Sequence, residues 1–133
     1  MSQLTCPGCT GQMRAFQAGK LTLDRCSFCR GLWFDGGELE GTLGRRPAAK
    51  LTAEQESSRR CPRCAVPMRP AECGGLRVEF CTRCSGVFLD DGELTALNGG
   101  QPVRVQAGQT PPPARPEKQV QDDVMDWLHA LGT

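Results

Sequence analysis

The sequence predicts a small, metal-stabilised, β-rich fold that consists of two tandem copies of one unit and a C-terminal amphipathic helix. Three observations lead to this prediction. The 133 residues include nine cysteines but no tyrosine, and aromatic residues make up only 5% of the chain, so hydrophobic burial alone is a weak source of stability. Most of the cysteines form C-x-x-C pairs that recur at one constant offset. A periodic apolar pattern near the C-terminus is typical of a helix.

The internal repeat extends beyond the cysteines. Cys6-Pro7-Gly8-Cys9 recurs as Cys61-Pro62-Arg63-Cys64, and Cys26-Ser27-Phe28-Cys29 recurs as Cys81-Thr82-Arg83-Cys84. At the same offset Trp33 aligns with Phe88. This predicts two units, residues 4–44 (unit one) and residues 59–99 (unit two), joined by a linker over residues 45–58. Within the linker, residues 49–56 suggest a short helix.

The composition changes after unit two. Pro111, Pro112, Pro113 and Pro116 predict an extended, semi-rigid spacer over residues 100–116. Over residues 117–131 apolar side chains recur at helical spacing, with Asp122, Asp123 and Asp126 off this surface. We call the apolar positions the apolar stripe: Val120, Val124, Trp127, Leu128 and Leu131. Because so short a helix is barely stable alone, the stripe should dock on the same chain, on a second copy, or in a partner's groove.

The cysteine spacing in each unit is that of a metal site. Sixteen residues separate the two C-x-x-C pairs, which is enough for two short strands and a turn. Alternating apolar residues before the second pair, such as Leu21 and Leu23 or Leu76 and Val78, predict the second of these strands. Zinc prefers four thiolates in a tetrahedron, so this zinc-ribbon layout predicts two Zn²⁺ per chain. The predicted ligands are Cys6, Cys9, Cys26 and Cys29 in unit one and Cys61, Cys64, Cys81 and Cys84 in unit two.

The predicted sites are closed. Four protein thiolates leave no coordination position for water or substrate, which is typical of structural rather than catalytic zinc. We therefore expect neither enzymatic activity nor catalytic residues. An iron or iron–sulfur protein that uses the same ligands is an alternative. A redox role for the C-x-x-C pairs would need a βαβ setting and an exposed first thiol, and the sequence suggests neither.

The repeated motif reads Cys-Pro-x-Cys, sixteen residues, Cys-x-x-Cys-x-Gly-x-Trp/Phe-x-Asp-x-Gly-Glu-Leu. It resembles the TFIIB-type zinc-ribbon family of small bacterial and archaeal zinc-finger domains. Residues 6–39 and 61–94 carry the resemblance, and unit two has Phe88 where the family usually shows Trp. The resemblance implies a zinc-ribbon fold and zinc binding, and the name of the family suggests a link to transcription.

Paired carboxylates follow the second C-x-x-C of each unit: Asp35 and Glu38, and then Asp90 and Glu93. A capping box explains them better than an active site, because the Asp accepts from a first-turn amide and the Glu reaches back to the N-cap. Leucines should then pack each short helix on its unit, namely Leu39 and Leu43, and Leu94 and Leu97. Trp33 and Phe88 are expected to cover the metal sites.

Charge argues against general nucleic-acid binding. The formal net charge is +1, and each filled site makes it more negative, because four thiolates outweigh one dication. Affinity for nucleic acid depends largely on phosphate neutralisation, so the chain as a whole is a poor binder. Binding through a local basic patch in and around the linker is the alternative function. The patch comprises Arg45, Arg46, Lys50, Arg59, Arg60, Arg63 and Arg69, with Arg45, Arg46, Arg59 and Arg60 as its test positions.

The leading hypothesis is a zinc-stabilised, non-enzymatic interaction module that binds a protein through the apolar stripe, in transcription or a similar assembly. There is no apolar run of about 18 residues and no signal-like N-terminus, so we expect a cytoplasmic protein without membrane contact. No small-molecule substrate is expected either. Cys73 aligns with Ala18 and should be a turn thiol outside the sites, and His129 should be a surface residue.

Overall fold

The computed structural model describes residues 4–8, 11–44, 49–52, 59–98 and 115–132, and this part of the chain contains seven strands and three α-helices. In chain order they are β1 (Met13–Ala18), β2 (Leu21–Cys26), β3 (Leu32–Phe34), α1 (Gly36–Leu43), β4 (Ala49–Leu51), β5 (Arg69–Cys73), β6 (Leu76–Phe80), β7 (Val87–Leu89), α2 (Asp91–Thr95) and α3 (Glu117–Gly132). A 3₁₀ turn, Ala96–Asn98, continues α2. None of these helices has the length and apolar character needed to cross a membrane.

The strands form one antiparallel sheet in the order β1-β2-β3-β7-β6-β5-β4. Each unit contributes three consecutive strands, and the units join where β3 pairs with β7. Trp33 lies directly opposite Phe88 in this central pairing. The predicted β-rich fold is confirmed, and the two units share one continuous sheet.

The linker contributes an edge strand. Ala49–Leu51 pair with β5 as strand β4, with Leu51 opposite Ala71. The expected helix over residues 49–56 is therefore wrong at its start, and residues 53–58 lie outside the described residues. A helix of only about two turns gains little stability alone, whereas β5 presents unpaired backbone groups that β4 satisfies.

The hydrophobic core lies between one face of the sheet and the three helices. α3 docks on this face, and every residue of the apolar stripe is buried there. The Trp127 ring centroid lies 5.0 Å from that of Phe34 in unit one, and Trp127 Nε1 donates to the Cys73 carbonyl of unit two at 2.9 Å. The stripe thus docks on its own chain and spans both units. The four predicted helix leucines also pack on this core: Leu39, Leu43, Leu94 and Leu97.

Three charged residues hold the start of α3 against α2. Arg115 donates to Asp91 through Nη2 at 2.6 Å, and to Asp123 through Nη1. Asp123 is only 3% exposed, so its predicted place off the buried surface is wrong. It follows Val120 by three residues and precedes Trp127 by four, which puts all three on one helix face. Its carboxylate is tolerated there because Arg115 neutralises it.

The predicted capping boxes are not present. Asp35 and Asp90 occupy the N-cap positions of α1 and α2, but neither side chain makes a capping hydrogen bond. Asp35 instead accepts from the Trp33 indole and from Arg63, and Asp90 accepts from Arg59. A guanidinium brings a full positive charge and can donate two parallel hydrogen bonds to a carboxylate, which a single backbone amide cannot. The two carboxylates therefore serve tertiary contacts.

Two adjacent glycines of α1 provide a matched test of the contact between the units. A Cβ atom at Gly36 would overlap the carbonyl oxygen of Cys84 in unit two, whereas one at Gly37 would meet nothing within 4 Å. We expect Gly36→Ala to destabilise the protein by about 1–3 kcal/mol, because α1 must move off the backbone of unit two. Gly37→Ala should be neutral or stabilising by up to about 1 kcal/mol, since alanine favours helix. Denaturant unfolding of the metal-loaded variants measures both; equal stabilities would contradict the close approach.

Candidate metal centres

Tight turns of one shape position the cysteines. In each turn the amide of the first cysteine donates to the carbonyl five residues later, at 2.7–2.9 Å: Cys6 to Gly11, Cys26 to Gly31, Cys61 to Val66 and Cys81 to Gly86. In the three turns that the structure describes throughout, the residue after the second cysteine has a positive φ of 59–68°: Arg30, Ala65 and Ser85. This backbone path curls around the first sulfur of each pair.

Backbone amides donate to that first sulfur. The donors lie 3.3–3.5 Å from Sγ: Gly8 for Cys6, Phe28 and Cys29 for Cys26, Arg63 and Cys64 for Cys61, and Cys84 for Cys81. A hydrogen bond to the charged form of a group favours that form. The turns therefore favour thiolates, which are the form that binds metal.

The turns meet in pairs and form two cysteine clusters. In site two the Sγ atoms of Cys61, Cys64, Cys81 and Cys84 all lie within 4.8 Å of one another. In site one the same holds for Cys6, Cys26 and Cys29, while the fourth predicted ligand, Cys9, lies outside the described residues. The structure thus brings together every predicted ligand that it describes.

The sulfur spacing fits a tetrahedral metal ion. The Sγ atoms of Cys6 and Cys29 are 3.5 Å apart, and those of Cys61 and Cys84 are 3.7 Å apart. A tetrahedral zinc site with Zn–S bonds of about 2.3 Å places its sulfurs about 3.8 Å from one another. These two spacings are therefore close to those of a zinc site.

The thiols of one cluster shift one another's ionisation in opposite directions. Hydrogen bonds from the Cys29 and Cys6 thiols hold the pKa of Cys26 far below its usual range. The interaction with Cys26 in turn raises the pKa of Cys29 to about 12, and burial raises the pKa of Cys61 in site two to about 11. A divalent cation held by these sulfurs would favour their thiolate forms, because it would bring the opposite charge to them.

Each site is covered by an aromatic residue of the other unit. A Cβ atom at Gly31, beside site one, would lie 2.5 Å from Cζ of Phe88, and one at Gly8 would lie 3.3 Å from the same atom. A Cβ atom at Gly86, beside site two, would overlap the Trp33 ring. Both rings are 0% exposed. Trp33 and Phe88 therefore cover the metal sites, as predicted. Because β3 pairs with β7, however, Trp33 of unit one covers site two and Phe88 of unit two covers site one.

Arg59 is a buried structural residue. It is 7% exposed, and its Nη1 lies 2.8 Å from Asp90 Oδ2 and 3.4 Å from Glu79 Oε1. Its guanidinium also stacks on the Phe88 ring at 5.2 Å. The prediction that Arg59 belongs to a basic surface patch is therefore wrong. Its partners Asp90 and Glu79 are distant in sequence, so spacing alone does not reveal them.

The other arginines of the predicted basic patch differ in their surroundings. Arg63 forms two hydrogen bonds to Asp35, of 2.9 and 3.0 Å, so its charge is paired. Arg60 is exposed, and its Nη1 donates to the carbonyl of Ala65. Arg45 and Arg46 lie outside the described residues.

The ninth cysteine and the single histidine belong to neither cluster. Cys73 is the last residue of β5, and it is 1% exposed because α3 covers it. The turn itself consists of Gly74 and Gly75, so Cys73 ends the strand directly before the turn and is not a turn residue as predicted. His129 is exposed on α3, as predicted.

Comparison with known proteins agrees with this geometry. A family model described as transcription factor zinc-finger, of the TFIIB zinc-ribbon type, matches residues 5–44 and again residues 60–98. The two matches cover more than half of the chain, and one lies within unit one and the other within unit two. No curated protein and no solved structure matches the chain.

Proposed function

Because the chain belongs to the TFIIB-type transcription factor zinc-finger family, with two tandem ribbons, we propose that it is a zinc-stabilised, non-enzymatic interaction module. The observation that carries the proposal is the closed form of site two, in which four thiols converge beneath the buried ring of Trp33. Zinc held by four thiolates has no position left for substrate, and it stabilises the fold around it. In this proposal the metal stabilises the fold, and the outer surface of the two units binds the partner.

Burial of the thiols supports a structural role over a redox role. The first cysteine of every pair is buried: Cys6, Cys26, Cys61 and Cys81. A thioredoxin-type pair instead attacks through a solvent-accessible first thiolate. All neighbouring strands of the described sheet are also paired antiparallel.

Metal content and thiol reactivity test this proposal together. Elemental analysis with native mass spectrometry should find two zinc ions per chain. Brief alkylation of the zinc-loaded protein should modify no thiol quickly, because eight coordinate zinc and Cys73 is buried. The chelated, denatured chain is the control, in which all nine cysteines should react. Iron in place of zinc, or several fast thiols in the loaded protein, would contradict the proposal.

We propose that the partner is a protein and that it contacts a surface other than the apolar stripe, since the stripe is buried within the chain. Phe28 supports this, because it is 46% exposed at the tip of a rigid C-x-x-C turn. Exposed aromatic residues on rigid loops are typical anchors of interfaces. The family description makes a transcription assembly the first place to search, and a cytoplasmic location would keep the thiols reduced.

A comparison of two exposed apolar residues tests the protein interface. Phe28→Ser should remove the proteins that the intact chain captures from a lysate, because the anchor is lost. Met125→Ser is the matched control, since Met125 is similarly exposed but lies on α3. Equal capture by both variants would rule out Phe28 as the anchor.

A second candidate function, the binding of single-stranded nucleic acid, is favoured by a basic cavity in unit one. The cavity measures about 360 Å³, and its lining includes Arg14, Arg25 and Arg30, with Glu117 as its one carboxylate. Arg14 faces Arg25 directly across β1 and β2, and the Arg25 guanidinium lies over the Phe16 ring at 5.4 Å. Crowded guanidiniums attract phosphates, and the exposed Phe28 next to Ser27 could stack on a base.

Substitutions at two exposed arginines test this second function. Arg14→Gln should weaken the binding of a labelled oligonucleotide and reduce its salt dependence, because a phosphate contact is lost. Arg83→Gln is the matched control, since Arg83 is exposed on a C-x-x-C turn of unit two. Fluorescence anisotropy at several salt concentrations measures both; equal affinities would show that the cavity is not the binding surface.

A further inference from the structure

The exchange of aromatic covers makes each metal site depend on the other unit. Gly31 and Gly8 of site one lie directly under Phe88, and Gly86 of site two lies directly under Trp33. A unit folded alone would leave its cysteine turns without a cover. Both covers come from the central strand pair, where Trp33 and Phe88 are opposite neighbours.

A hydrogen-bond chain connects Trp33 to the ligands of site two. Its indole Nε1 donates to Asp35 Oδ1 at 3.0 Å, and the same carboxylate accepts two hydrogen bonds from Arg63. Arg63 lies between the ligands Cys61 and Cys64, and its amide donates to Cys61 Sγ at 3.4 Å. The first ligand turn of site two is therefore held by unit one.

The second ligand turn of site two also rests on unit one. The first residue of α1, Gly36, is packed so closely on it that a Cβ atom would overlap the Cys84 carbonyl oxygen and lie 2.9 Å from the Ser85 carbonyl carbon. In unit one, β3 begins three residues after Cys29 and leads directly into α1. The segment that covers site two therefore begins directly after a ligand turn of site one.

We propose that the two sites take up metal cooperatively, each completing the cover of the other. The proposal rests on the zinc binding proposed above. Filling site one fixes the Cys29 turn and β3, which places Trp33, Asp35 and Gly36 on site two. Filling site two fixes β7, which places Phe88 on site one. Such a coupling is reciprocal, so each site raises the affinity of the other by the same factor, about 5- to 150-fold.

Native mass spectrometry of a zinc titration measures the coupling. For two equal, independent sites, the one-zinc species reaches about half of all chains at the midpoint. We expect it to stay well below that share, with metal-free and two-zinc chains dominant. A one-zinc share of half or more would overturn cooperativity and leave zinc binding intact. A chain that binds no zinc at any concentration would overturn the proposed function itself.

Crossed variants test the route of the coupling. Trp33→Ala should speed zinc loss at site two more than at site one, and Phe88→Ala should do the reverse, because each ring covers the site of the other unit. Alkylation in the presence of a chelator, followed by peptide mapping, reports which cysteines lose metal first. Leu32→Ala and Leu89→Ala are matched controls, because these residues flank the covers but face the helix core. They should affect both sites equally.

The conservative variant Trp33→Phe decides the result if Trp33→Ala retains no zinc. It places in unit one the residue that unit two already has at this position, and it removes the indole donor to Asp35. Preferential loss at site two supports the proposal. Equal rates at both sites, or faster loss at site one, would overturn it.

Discussion

Chelation of the metal is expected to unfold the whole sheet, with a loss on the order of 10 kcal/mol per site. This loss is as large as the total stability of a typical domain, which is about 5–15 kcal/mol. The sheet face opposite the helices shows why. About half of the residues in its core are cysteines, and we expect the other apolar residues packed among them to be too few to replace the metal: Leu4, Met13, Trp33, Val66, Met68 and Phe88.

The two tryptophans make this unfolding measurable on both faces of the sheet. Trp33 reports on the metal-binding face and Trp127 on the helix face. Near-ultraviolet circular dichroism and fluorescence should change together as chelator is added, alongside far-ultraviolet dichroism. Chelator saturated with zinc beforehand is the control and should have no effect. A metal-free chain that retains its near-ultraviolet signal would show that the hydrophobic core is sufficient.

Trp127→Ala is expected to cost about 3–5 kcal/mol, because it removes a large, fully buried side chain at the centre of the docked helix. The ring contact with Phe34 and the hydrogen bond to the Cys73 carbonyl are both lost. Since α3 covers Cys73, the variant should also make this thiol reactive in the zinc-loaded protein. Denaturant unfolding and the rate of Cys73 alkylation are the two measurements.

His129→Ala is the matched control on the same helix, since His129 is exposed. It should leave both the free energy of unfolding and the Cys73 reaction rate nearly unchanged. If Trp127→Ala behaved like His129→Ala, α3 would not be docked on its own chain in solution.

Local patterns in the sequence were sufficient for much of this structure. The C-x-x-C turns, the alternation of Leu21 and Leu23, and the helical spacing of the apolar stripe are all set by residues close together in the chain. Each such pattern has a short period that backbone geometry imposes, so it can be read without knowing the fold. The same reasoning failed for Asp35 and Asp90, whose arginine partners, Arg63 and Arg59, are remote in sequence.

Local patterns were enough to predict the β-rich class of the fold, the seven described cysteines that converge in two clusters, and the C-terminal helix. They did not reveal that β3 pairs with β7, that Trp33 and Phe88 each cover the site of the other unit, or that the apolar stripe docks across both units. The repeat explains this difference. The two similar units present the same strand edge, with an aromatic residue at the same position. No local pattern therefore shows whether this aromatic residue covers the metal site of its own unit or that of the other unit. The choice depends on surface buried between segments far apart in the chain.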